Sequence, residues 1–195
     1  MKKTTKILLL VVCVATLLVG AVAGTYAWLV ASTAPVENTF TFGNVNITLE
    51  ETKGTPTGDR QYEFKILPGK TVPKDPTVTV LAGSEKCYLF FKVEETNGFS
   101  TYIDYEIADG WTALDKVNHP GVYYRIVEER GENQPFNIIK DDQVKVNSDI
   151  TKQQIDGMVS AGTLPAMSFV AYAVQFEGVN DAATAWGIAN PPANP

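Results

Sequence analysis

Histidine and cysteine are nearly absent from this chain. His119 is the only imidazole, and Cys13 and Cys87 are the only thiols among 195 residues. That scarcity excludes most familiar site chemistries. A Ser–His or Cys–His nucleophile needs an imidazole beside an activated hydroxyl or thiol, and there is no Gly-x-Ser-x-Gly elbow. His119, next to Pro120 and Gly121, reads as an exposed loop residue. Zinc sites draw several ligands from His and Cys, and His119 and Cys87 are far apart in sequence. No glycine-rich phosphate loop is present. No catalytic residue, metal ligand or cofactor is expected.

Positive charge is also sparse, at 16 basic against 22 acidic residues. Three of the basic residues, Lys2, Lys3 and Lys6, lie at the extreme N-terminus, so the remainder holds 13 against 22, a net of −9. Such a surface repels nucleic acid and anionic headgroups, so neither is an expected partner. The acidic pairs are weak metal candidates. Neighbours such as Glu94-Glu95 and Glu128-Glu129 point to opposite faces of a strand. Asp141-Asp142, in a turn, is the one pair with a calcium reading.

Long apolar runs are missing except at one place. After Met1-Lys2-Lys3-Thr4-Thr5-Lys6 comes an uncharged apolar stretch from Ile7 to Ala23. Thr25 and Ala27 then supply small residues at −3 and −1 of a cut before Trp28, the pattern of an export signal over residues 1–27. The alternative is a retained membrane anchor, because the run approaches bilayer-spanning length. Cys13, preceded by Val12, lies inside this run and would leave with it. Cys87 would then be alone, with no internal disulfide. Among Tyr88, Leu89, Phe90 and Phe91 it reads as a buried core residue.

The rest alternates in the manner of β-strands. Residues 28–36, beginning Trp28-Leu29-Val30, form a partly apolar arm interrupted by Pro35. Residues 37–195 form the domain. Asn38 to Glu50 reads as one bent strand or a strand pair, with a bulge at Gly43-Asn44. Lys53 to Asp59 reads as a loop, Tyr62 to Ile66 as a strand, and Leu67 to Lys70 as a turn. Pro73 and Pro76 bar their segment from a sheet centre. Thr77 to Leu81 is a short strand, followed by a turn at Ala82-Gly83-Ser84. Lys86 to Glu95 is the strongest strand, apolar on both faces and therefore central. Further β patterns cover Ile103 to Ile107, Gly121 to Val127, Phe136 to Ile139 and Val144 to Val146. Lys116 to Gly121 reads as a loop, and Met167 to Phe176 as a long buried strand. Thr151 and Gln154 have capping-box spacing, predicting a helix to Met158. Asp181 is placed to cap a helical turn reaching Trp186. This predicts an all-β antiparallel sandwich with one or two short helices.

Certain residues resemble a known family. Gly24-Thr25-Tyr26-Ala27-Trp28, followed by Asn38-Thr39-Phe40-Thr41-Phe42-Gly43-Asn44-Val45-Asn46-Ile47, resembles the start of TasA/camelysin proteins. Leu67-Pro68-Gly69-Lys70 with Lys74-Asp75-Pro76 is similar to that family's Pro-Gly turn and strand entry. Ala82 to Leu89, Asp109-Gly110-Trp111 and Ala171-Tyr172-Ala173-Val174-Gln175 resemble its SipW-dependent-signal subgroup.

The resemblance implies a jelly-roll sandwich exported by a Gram-positive cell, its signal removed by a SipW-type peptidase. It implies a secreted or cell-surface protein of the biofilm matrix, touching the membrane only through the uncleaved signal. It implies self-association into head-to-tail fibres, in which the arm at Trp28, Leu29 and Val30 completes the next subunit's sheet. A monomeric adhesive surface domain is the alternative. A camelysin-like metallopeptidase is the remaining one, and the chain has no H-E-x-x-H helix to support it.

Overall fold

The computed structural model describes residues 44–191. The expected signal, the expected arm and the expected strand from Asn38 through the Gly43 bulge position lie outside the described residues.

Twelve strands are described, every pairing antiparallel. β6 (Cys87–Thr96) is the organising element. It lies inside a four-stranded sheet ordered β12 (Ala166–Gln175), β6, β9 (His119–Val127), β8 (Thr112–Asp115). Its residues alternate between two cores, as a period of two requires. Cys87, Leu89, Phe91 and Val93 face the larger core. Tyr88 and Phe90 face a smaller one. Both faces are covered, which is why the strand reads as an almost unbroken apolar run.

Two three-stranded sheets contribute to the larger core. One is ordered β1 (Ile47–Glu50), β5 (Thr77–Val80), β10 (Gln134–Asn137). The other is ordered β4 (Thr71–Pro73), β11 (Gln143–Val146), β7 (Ile103–Asp104). Val78, Val80, Val72, Val144, Val146 and Ile103 from these sheets share one cluster with the odd-numbered face of β6. Each such aliphatic or aromatic side chain contributes about 1.5–3 kcal/mol on burial. Pro73 sits on an edge strand, where its missing N–H costs no ladder bond.

The helices follow their caps. α1 (Phe99–Tyr102) is a single turn that sequence reading left unassigned. α2 (Lys152–Ala161) begins at the expected capping box, with Thr151 and Gln154 bonded reciprocally. It ends at Gly162, whose φ of 65° suits a left-handed cap. α3 (Ala182–Ala189) starts where Asp181 Oδ1 accepts from Thr184 N at 2.7 Å. Its Trp186 packs 5.5 Å from Phe90 and 5.2 Å from Tyr172, between ring centroids, forming the smaller core. Among the described residues, no helix is long and apolar enough to cross a membrane.

Several expectations need correction. Lys53 to Asp59 is not all loop: β2 (Thr55–Gly58) pairs with β3 (Gln61–Glu63) in a separate hairpin. Every residue of β2 is exposed, so burial left no imprint on its sequence. The strand expected to Ile66 ends at Glu63, although Phe64 and Ile66 still pack on the core. The Ile103–Ile107 alternation yields only two strand residues plus an isolated bridge between Ile107 and Ile139. Trp111 is followed by β8, an unexpected strand. His119 opens β9 instead of lying in a loop, and is half-buried 6.4 Å from the Trp186 ring. Finally, β12 is an edge strand with no fully buried residue: its burial alternates from Ala166 to Val170, and Ala171 to Val174 are all partly buried.

Candidate strand-acceptor groove

Two sheet edges line one groove. On β1, Leu81 N donates to Asn46 O at 2.9 Å, and Thr48 stands opposite Thr79. Backbone direction alternates along a strand, so the N–H and C=O of Ile47 and Leu49 point away from β5. On β12, Phe176 N donates to Lys86 O at 2.9 Å. The backbone groups of Met167, Phe169, Ala171 and Ala173 therefore point away from β6. Among the described residues neither edge has a strand partner.

Two adjoining hollows, of about 570 and 560 Å³, run along these edges. Leu49, Glu50, Arg60 and Phe169 line both. Ile47, Leu49, Met167, Phe169, Ala171 and Ala173 are partly buried and pack on the larger core. The groove thus combines outward-pointing backbone groups with apolar side chains that are only half covered.

A buried ion pair anchors one end. Lys74 Nζ lies 2.9 Å from Glu51 Oε1 and 3.1 Å from Oε2. It also lies 4.3 Å from the Phe64 ring centroid and 5.7 Å from that of Phe169. Lys74 is only 7% exposed. Burial pushes the Glu51 carboxyl above its usual value, against the opposing pull of Lys74. Asp75 beside it accepts from Thr52 N at 3.0 Å and Lys53 N at 2.9 Å. Burial raises the Asp75 carboxyl, but these bonds and one from the Thr52 hydroxyl outweigh it and hold the group below its usual value.

The flank formed by β8, β9 and β10 is closed differently. Arg125 lies with its guanidinium carbon 4.0 Å from the Phe136 ring centroid and 5.2 Å from that of Trp111. Trp111 Nε1 donates to Asn137 O at 2.8 Å, tying that side of the four-stranded sheet to β10.

The sequence-predicted site residues Thr25, Ala27, Trp28, Leu29 and Val30 lie outside the described residues. The expected core thiol, Cys87, is fully buried, and burial pushes it up to about 11. Glu94 and Glu95 diverge as strand neighbours should: Glu94 pairs with Lys92 at 2.6 Å, while Glu95 accepts from the Tyr105 hydroxyl at 2.7 Å. Asp142 accepts from Asn137 Nδ2 at 3.1 Å. Among the described residues, no group of three His, Cys, Asp or Glu side chains is placed to hold a metal ion. Sequence reading missed the groove, because an unpaired edge has the same alternation as a paired one; the hydrophobic spacing of Met167, Phe169 and Ala171 was its only trace.

No protein-family model matches the chain, and no curated protein or solved structure matches it.

Proposed function

We propose that this protein is a secreted structural subunit that assembles into surface or matrix fibres by donating its N-terminal arm to the groove of the next copy. The sheets are read as a jelly-roll-like sandwich short of one strand. One observation supports this above all: β1 and β12 both turn unpaired backbone groups and half-covered apolar side chains toward one groove. A strand laid along one of these edges satisfies the groups of that edge and covers Leu49 or Phe169 beside it. An exposed unpaired edge is otherwise a liability in a protein of this size.

Trp28 to Val36 is the donor. Its Trp28, Leu29 and Val30 supply the apolar side chains that the groove lacks. The contact is head-to-tail and does not close, so it propagates. Cleavage after Ala27 by a SipW-type peptidase frees the arm only after export, which prevents premature assembly. The role is structural, without catalysis or cofactor.

The experiment compares the mature chain starting at Trp28 with a chain lacking residues 28–36, by electron microscopy and circular dichroism. The expected result is fibres from the first and folded monomer from the second. Fibres from the truncated chain would place the donor elsewhere. A mature chain that stays monomeric under all conditions would favour a monomeric surface domain whose arm folds back on itself.

A further inference from the structure

The β2–β3 hairpin touches the groove at an informative point. Arg60 Nη2 donates to the Leu49 carbonyl at 2.8 Å. That carbonyl belongs to the outward-pointing set on β1, so a strand added to β1 would need it. Arg60 also lines both hollows of the groove. Its backbone has φ of 55°, a left-handed conformation uncommon for a non-glycine residue. The hairpin therefore holds a strained turn that aims this side chain at the edge.

Among the described residues, little beyond its base secures the hairpin: it pairs only with itself, and all of β2 is exposed. Its pairing slips between Pro56 and Gly58. At its base Gly54 has φ of 92°, and an added Cβ there would stand 2.8 Å from the Phe64 ring. A segment with few buried contacts opens at low cost relative to the fold beneath it.

We propose that the β2–β3 hairpin is a displaceable latch on the acceptor edge, with Arg60 occupying the Leu49 carbonyl until an incoming strand takes its place. This rests on the strand-acceptor reading and adds a kinetic step to it. The latch blunts a free edge in the isolated subunit, as a covering loop does in other sheets. It yields to a strand that offers a row of hydrogen bonds in exchange for one.

The test is the fibre-growth rate of the mature chain, its Arg60→Ala variant and its Arg60→Lys variant, followed by light scattering, with the thermal midpoint of each monomer as control. Arg60 is exposed, so the midpoints should agree. Removing one charge-assisted bond should speed growth by about three- to tenfold in Arg60→Ala, with Arg60→Lys in between. Growth of Arg60→Ala alone, with the wild type monomeric, would also establish the latch. Equal rates with normal fibres would overturn the latch and leave the assembly reading intact. If neither protein assembles, both readings fall.

Discussion

Lys74 Nζ and Glu51 Oε1 lie 2.9 Å apart under the Phe64 and Phe169 rings, at the end of the groove. The pair joins the end of β1 to the segment between β4 and β5. A buried charge without its counter-ion is costly, whereas a buried pair contributes little beyond an apolar replacement of similar shape. Lys74→Met or Glu51→Leu alone should therefore destabilise the domain by about 3–5 kcal/mol. Lys74→Met combined with Glu51→Leu should cost much less than either single change. Urea unfolding of the four proteins checks this, and additive single effects would refute the coupling.

Acid stability follows from carboxyls shifted in opposite directions. Asp75 and Asp181 are held below their usual 3.8 in the folded state. Their contribution is present above 3.8 and is lost as pH falls through the lower folded values. Glu51 is raised above its usual 4.5, so its protonation favours the fold, and stability from this group falls as pH rises through the raised value. The thermal midpoint should therefore drop below pH 3.8. Asp75→Asn should flatten that drop, and an unchanged acid limb would show that Asp75 does not contribute.

Cys87 is fully enclosed beside Leu89 and Phe91. Its thiol should resist alkylation in the native protein and react on unfolding. Cys87→Ser should cost about 1–3 kcal/mol, because the hydroxyl enters an apolar site. Rapid native labelling would contradict the burial.

Gly121 brings β9 against β6. Its φ is 75°, and a Cβ there would meet the Val93 carbonyl oxygen at 2.4 Å. No side chain can yield to relieve that contact, since the obstacle is backbone. Gly121→Ala should cost at least about 3 kcal/mol, above the ordinary range for a point substitution. By contrast, exposed Asp141 has φ of 55°, and Asp141→Gly should leave stability unchanged or raise it by up to about 1 kcal/mol. Thermal melts of the two variants should separate them clearly.

Local chemistry and periodicity alone determined much of this protein. The two-sided apolar run from Cys87 to Phe91 requires a central strand, because only burial on both faces accommodates it. Thr151 with Gln154, and Asp181, set helix starts through bonds that span three residues. Pro73 kept its strand at an edge by lacking a donor. These are short-range effects, so they are written in short stretches of chain. Tertiary structure decided what depends on distant segments. It set which edges stay unpaired among the described residues, since Leu49 and Phe169 are 120 positions apart and meet only in the folded groove. It set the pairing of Lys74 with Glu51, and the reach of Arg60 to Leu49, neither of which any motif announces. It also set β2, whose exposed residues bear no hydrophobic pattern because nothing buries them. A pattern records which side chains leave water; it does not record which backbone groups are left without a partner.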